Sequence, residues 1–376
     1  MKPLKISIIF GKNNKYRFNA HSSFIIWLIL LMLFPVLAIV KEDILPKYFF
    51  WDANTIYAFM KSGSDFAHGD SFSSTAAFYN LFSVDRYSFI FPLISSLIIV
   101  YLFVIALKRS MAKEITLLEV GMYLFYLMLS VIYMTLLSKD FIVLLVIAPF
   151  LFLAKKGIKG LLLWSILAMA YGYFYRSYWF IFVCQFWMMY MAFGIVKKPW
   201  QVVCVVLVFL LLLAIAFHVG LGVDIDRFRT IINDMRIETQ DANAKTNTMI
   251  TSYIPGGGII ISWLNVFITW LMLMFPIPLI LALSPYYLVI SFFIIFLFVR
   301  LWKVVSFCIG HSEAKLLRAV ACLIISFTTI QSIFEPDYGS YVRHLSPFYP
   351  LCFFIIMGLK AYKNERKLIS NQQEME

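Results

Sequence analysis

Residues 259–283 read IIISWLNVFITWLMLMFPIPLILAL, and whether this stretch crosses a bilayer decides the topology of the whole chain. It is apolar enough to span, since about 20 residues of helix cover a hydrocarbon core of about 30 Å. Two features argue against a crossing. Pro276 and Pro278 each remove a backbone donor and break a helix where they stand. A crossing would also strand Arg300, Lys303, Lys315 and Arg318 on the side opposite the other loop cations and invert the C-terminal tail, against the bias of Lys and Arg toward the cytoplasm. The stretch is therefore expected to be a re-entrant or interfacial helix, broken at its prolines and facing outward.

Around it the chain reads as an all-α polytopic membrane protein. Of its 376 residues 62% are apolar and only 14% charged, far from the balance of a soluble domain, and the excess extends over nearly the whole length. About ten transmembrane helices are expected, at 24–40, 88–107, 115–137, 141–154, 161–175, 178–196, 202–219, 286–299, 317–334 and 347–359. The first lacks a small-residue cleavage site and reads as a retained span. This places 1–23 and 360–376 as cytoplasmic tails, 41–87 as a first periplasmic loop, and 220–285 as a large periplasmic loop carrying the broken helix. Pro255-Gly256-Gly257-Gly258 forms a joint within that second loop.

The charges fit this arrangement. It puts 21 of the 32 Lys and Arg residues inside and 14 of the 20 acids outside, with Glu119 within a span. Topology thus accounts for the net charge of +12, and nucleic acid is not an expected partner. Cys184, Cys204, Cys308, Cys322 and Cys352 lie in or beside apolar runs without a CxxC, so they read as core residues rather than metal ligands or disulfides.

Some outer cations resist that explanation: Lys139, Arg176 and Arg343, and in the large loop Arg227, Arg229 and Arg236. Lys139, Arg176 and Arg343 flank the short runs 141–154, 161–175 and 347–359, which at 1.5 Å per residue reach only about 20 Å. They are expected to sit below the outer surface, where a charge needs a wet cavity or a partner. A cation-lined cavity open to the outer face suits a lipid phosphate or pyrophosphate. The plainer alternative is local pairing, Lys139 with Asp140 and Arg343 with Asp337. Five aromatics crowd Arg176, Tyr178 among them, as in a sugar-stacking surface or an interfacial belt. Glu335-Pro336-Asp337-Tyr338-Gly339-Ser340-Tyr341-Val342-Arg343-His344 places two carboxylates, a cation and a histidine together, with Pro336 and Gly339 read as a tight turn. Glu335, Asp337 or His344 could deprotonate a sugar hydroxyl. In the first outer loop Asp52, Asp65, His68 and Asp70 are candidate acids or bases, or simply solvated.

With these residues in view, the chain resembles the Wzy-type polymerases of bacterial O-antigen and capsular polysaccharide. The resemblance covers the architecture of the whole chain. Locally it rests on Ser138-Lys139-Asp140, Phe174-Tyr175-Arg176-Ser177-Tyr178 and Asp337 to His344. It implies a glycosyltransferase of the inner membrane that joins undecaprenyl-pyrophosphate-linked repeat units on the periplasmic face. A flippase and a Wzz-like chain-length regulator would be its partners. The family's essential arginines would map onto Arg176 and Arg343, with Arg227, Arg229 and Arg236 as further substrate contacts. With cations on hand to neutralise pyrophosphate, no metal or other cofactor is expected. Three other readings remain open: a polyprenyl-linked glycosyltransferase using Asp52 as base, an O-antigen ligase, and a flippase or transporter.

Overall fold

The computed structural model describes residues 15–17, 20–110, 114–239, 248–311 and 313–373, with side chains described for all of these except 15–28, 30–31, 48, 114, 236, 239 and 364–373. In chain order the helices are α1 (Ala20–Ile44), α2 (Trp51–Lys61), α3 (Ser71–Leu81), α4 (Ile90–Arg109), α5 (Leu117–Met134), α6 (Lys139–Ile147), α7 (Phe150–Leu153), α8 (Ile158–Phe174) and α9 (Tyr178–Ala192). There follow α10 (Pro199–Leu221), α11 (Arg227–Thr239), α12 (Ile259–Met274), α13 (Ile277–Leu281), α14 (Pro285–Gly310), α15 (Lys315–Phe334), α16 (Tyr338–Leu345) and α17 (Tyr349–Gln373). A short antiparallel pair, Lys15–Arg17 with Glu114–Thr116, ties the approach to α1 to the start of α5.

Among the described residues, α4, α5, α10, α14, α15 and the run from Tyr338 to Lys363 are long and apolar enough to cross a membrane; α8, α9 and α12 are shorter apolar helices. Large apolar side chains stand fully outward along them, including Ile94 and Tyr101 on α4, Leu163 and Ile166 on α8, and Val208 and Leu212 on α10. A soluble monomer rarely leaves contiguous apolar surface on that scale. The fold is that of an all-α, multi-pass membrane protein.

The helix ends follow from local chemistry. Thr116 and Glu119 form a reciprocal cap at the start of α5, the Glu119 carboxylate accepting from Thr116 N at 2.8 Å. The same carboxylate pairs with Lys360 at 2.9 Å, which accounts for the one acid inside an apolar run. Pro149 divides the expected span 141–154 into α6 and α7, because proline cannot donate to the preceding turn. Gly222, at φ +66°, ends α10 in the left-handed conformation that glycine adopts without strain.

Helix α15 runs through the centre. Nearly every side chain from Leu317 to Ile333 is buried, as expected of a helix surrounded by others. α9, α12, α14 and α17 pack around it. Its last turns are polar yet buried. Thr328, Thr329 and Ser332 satisfy their hydroxyls on carbonyls three or four residues back. This polar end of the central helix leads directly into Glu335.

The stretch that decided the sequence reading is a 16-residue helix, α12, followed by a break at Phe275–Pro276 and the five-residue α13. The expected tight turn at Pro336 and Gly339 is corrected. Only 335–337 lies between helices; Gly339 lies in the first turn of α16, and the chain passes through a short 3-10 turn, Ser346–Phe348, into α17. Asp337 initiates this run by accepting from Ser340 N at 2.8 Å, a helix-capping bond.

Candidate functional site

Four segments far apart in sequence meet at the end of the bundle where α15 finishes. They are the start of α2 with Asp52, the start of α6 with Lys139 and Asp140, the α8–α9 connection with Arg176 and Tyr178, and residues 335–344.

Helix α3 holds the first three segments together. Asp70 caps it, its Oδ1 accepting from Phe72 N at 2.9 Å and Ser73 N at 3.1 Å. At its far end the Tyr79 hydroxyl accepts from Ser138 N at 3.1 Å and donates to Ser138 O at 2.9 Å, fixing the residue before Lys139. Ser74 Oγ donates to Phe174 O at 2.8 Å, and Gly69 N donates to Tyr173 O at 3.1 Å, which clamps the approach to Arg176. Gly69 makes that contact at φ +71°, a conformation other residues adopt only with strain.

The charges then interlock. Arg343 lies between two carboxylates, with Nη2 at 2.9 Å from Asp52 Oδ2 and Nε at 3.3 Å from Asp140 Oδ2. Lys139 Nζ is 3.9 Å from the same Asp52 oxygen and sits 3.5 Å above the Phe72 ring. Arg176 donates from Nη1 to the Tyr178 hydroxyl at 2.8 Å, and its Nη2 lies 3.2 Å from His344 Nε2. His344 Nδ1 lies 2.8 Å from Glu335 Oε2. A guanidinium offers only donors, so the Arg176 contact requires a lone pair on Nε2. The proton of His344 is then on Nδ1, directed at Glu335, and the Glu335–His344 pair presents a basic nitrogen toward Arg176.

Burial gives these contacts their strength. Glu335 is 1% exposed, Asp140 2% and Lys139 8%, so each charge depends on its neighbours rather than on water. Burial alone would raise the Asp52 carboxyl; the Arg343, Lys139 and Arg176 charges outweigh it and hold Asp52 below the usual carboxylate range. At Glu335 burial wins, reinforced by the Asp337 charge, and its carboxyl is pushed well above the usual range despite Arg176 and Arg343. Asp140 Oδ1, Glu335 Oε1, Arg343 Nε and the Tyr171 hydroxyl are buried without a hydrogen-bond partner among the described residues. Each such atom carries an unmet demand for a polar partner.

Of the residues singled out in the sequence, Asp52, Lys139, Asp140, Arg176, Tyr178, Glu335, Arg343 and His344 come together. The pairing is not the local one: Arg343 engages Asp52 and Asp140, and Lys139 engages Asp52. Asp337 is taken up in capping, bonding Ser340 through N at 2.8 Å and Oγ at 2.6 Å. Arg227 is exposed on α11 and pairs within its own helix, 3.6 Å from Asp234. Arg229 is fully buried and joins α11 to the bundle by donating to Thr269 Oγ1 at 2.8 Å and Ser332 O at 3.0 Å. The Arg236 side chain lies outside the described residues. Asp65 and His68 stay in the loop, His68 bonding Tyr173 O at 2.9 Å.

Sequence reasoning missed Phe72, which carries no charge and stands far from Lys139 in the chain, and Tyr79, whose pinning role is tertiary. Tyr171, just beyond the aromatics around Arg176 in the sequence, stacks on Tyr175 with ring centroids 4.8 Å apart and meets Trp179 at a tilt, 4.4 Å away. No group of three or more His, Cys, Asp or Glu side chains suited to a metal ion occurs among the described residues. Compared with protein-family models, curated proteins and solved structures, the chain matches none.

Proposed function

We propose that this cluster binds the pyrophosphate of a polyprenyl-linked glycan, and that the protein polymerises undecaprenyl-pyrophosphate-linked repeat units at the periplasmic face of the inner membrane. The observation that carries the reading is the meeting of Lys139, Arg176 and Arg343 with the Glu335–His344 pair at one end of a membrane-embedded bundle. In the reaction, Arg176 turns from His344 Nε2 to the pyrophosphate; a hydroxyl of the acceptor sugar then loses its proton to the freed Nε2 and forms a bond to the anomeric carbon of the donor glycan. The bond from that carbon to the pyrophosphate oxygen breaks, and the lipid pyrophosphate leaves with its electron pair. Arg176, Lys139 and Arg343 stabilise the charge that grows on it, an interaction strongest in the transition state. Glu335 holds the Nδ1 proton and orients the ring.

Asp52 is a poor base by comparison, since a carboxyl held below its usual range binds a proton weakly. Its place is to position Arg343. The ligase reading shares the anion site and differs in what accumulates: full-length lipid-linked polymer in a ligase deletion, single repeat units in a polymerase deletion.

The topology belongs to the same proposal: ten spans, both termini cytoplasmic, and α12–α13 re-entrant from the outer side. Supporting it, the first part of α12 bonds to the end of the bundle that carries the cluster, and the chain breaks at Phe275–Pro276 after the helix has descended beside α14. Gly258 N donates to Asp224 at 2.7 Å, Asn265 Nδ2 to Asp226 at 3.3 Å, and Thr269 shares Arg229 with Ser332 near the end of α15.

The test is complementation of a deletion strain with Arg176→Ala and Arg343→Ala, scored as the glycan ladder. Each is expected to reduce polymer at least about 100-fold, the loss of one preorganised donor at a developing charge. Normal ladders from both variants would end the proposal.

A further inference from the structure

A second gathering of cations lies at the other end of the molecule. Lys315 opens the helix after which Glu335 stands, and 20 residues of α15 separate the two ends by about 30 Å. There a cavity of about 740 Å³ is lined by Lys108 and Arg109 from the end of α4, Lys155 from the turn after α7, and Lys315. Glu313 is the acid in its lining. Three separate segments thus turn four cations toward one space. Among the described residues none of the four makes an ion pair, and Arg109 stacks on the Phe152 ring at 4.7 Å. The remaining wall is largely apolar, with Ile105, Phe152, Leu316 and Phe354 continuing from the charged rim along the bundle.

The bias of basic residues toward one side of a membrane accounts for cations at this level. It does not account for their convergence on a concave site with an apolar floor. The volume lies within the ordinary range for small-ligand sites, about 300–1,000 Å³. A phosphate on the basic rim with acyl chain along the apolar wall satisfies both halves at once, whereas a free phosphate satisfies only the rim. We propose that this cavity holds the phosphate headgroup of an anionic phospholipid from the leaflet opposite the candidate active site. Lys108, Lys155 and Lys315 act as point charges, and Arg109, steadied by Phe152, supplies a forked donor. The proposal is independent of the reading given to the Arg176–His344 cluster.

The test uses the purified full chain, titrated in detergent with phosphatidylglycerol or with phosphatidylcholine of the same acyl chains, and retained lipid is read by native mass spectrometry. Phosphatidylglycerol is expected to be retained over phosphatidylcholine. Lys108→Gln/Lys315→Gln is expected to weaken that retention about fivefold for each cation removed, the contribution of one basic residue near an anionic surface. Lys155→Glu, on a different segment, repeats the loss, and unchanged melting curves show that neither variant acts by unfolding. Equal retention of the two lipids overturns the proposal, as does retention indifferent to both variants. Displacement of the lipid by inorganic phosphate at millimolar concentration overturns it in favour of a soluble anion.

Discussion

Arg343 stands out in the sequence as an unexplained cation, and the structure gives it partners that the sequence does not suggest. Its position next to a short apolar run marked it as a cation that topology could not explain. The alternative of local pairing offers it Asp337, six residues away; the structure supplies Asp52 and Asp140 from distant segments, and gives Asp337 to the cap of α16. The charges themselves were legible in the sequence, while partners set by tertiary packing were not. The depressed carboxyl of Asp52 makes a prediction about acid. Its folded value lies below the ordinary 3.8, so its ion pair contributes full stability above that value and loses it as pH falls through the lower folded value. Asp52→Asn removes the contribution. The gap between wild-type and variant melting temperatures should be constant at neutral pH and close only in strong acid; a gap that closes already near pH 6 contradicts the pairing. The Glu335–His344 pair makes a second prediction. His344→Gln should lower polymerisation about 100-fold or more with lipid-linked donor still bound, as for loss of a general base. Glu335→Gln, which keeps a hydrogen-bond acceptor for Nδ1, should lose less and shift the pH profile, so equal losses without a shift would remove the orienting role.

Among the elements, α3 is the one whose importance the sequence concealed. It is short, of mixed polarity and lies between two longer apolar helices, with no apolar period to announce it. Yet it carries Phe72 beneath Lys139 and Tyr79 against Ser138, and its neighbour Gly69 reaches the α8–α9 connection. Its stability rests on the Asp70 cap. Asp70→Ala should cost about 1 kcal/mol and lower the melting temperature, and Asp70→Asn or Asp70→Ser should restore most of it. If alanine melts as the wild type does, α3 is held by its packing and the cap is incidental. The long apolar helices show the opposite case. α4, α10, α14 and α15 each carry enough apolar residues to be read directly; the largest difference is at α14, expected to end at 299, whose helix continues through Arg300 and Lys303 to Gly310 because charged residues do not stop a helix. Pro149 marks another difference, since hydropathy over 141–154 is continuous across a residue that halts the helix.

At the scale of the molecule, the chain is a membrane bundle with an interlocked charge cluster buried at one end. The double proline after α12 was the sequence signal for a re-entrant element, and the break stands where the signal put it. Sidedness is open to a direct measurement. In a chain whose five native cysteines are replaced, Thr251→Cys and Ser284→Cys flank the α12–α13 element. Both should react with a membrane-impermeant maleimide added from the same side. Reaction from opposite sides would make the element a full crossing, put Arg343 in the cytoplasm, and end the proposed mechanism with the proposed topology.

The clasp of Arg343 between Asp52 and Asp140 also sets an order of events during biosynthesis. Asp52, Lys139 and Asp140 leave the ribosome early, and Arg343 arrives only after α15. Until then Asp140 is an acid facing a nascent interior without its guanidinium, and a buried charge in that state is strongly unfavourable. The early helices must therefore remain loosely associated, with water between them, until the final segment inserts and closes the bundle around its own charges. A chain stopped after Phe334 would be left open at its centre, and the membrane's proteases would encounter an unfinished molecule rather than a shortened one.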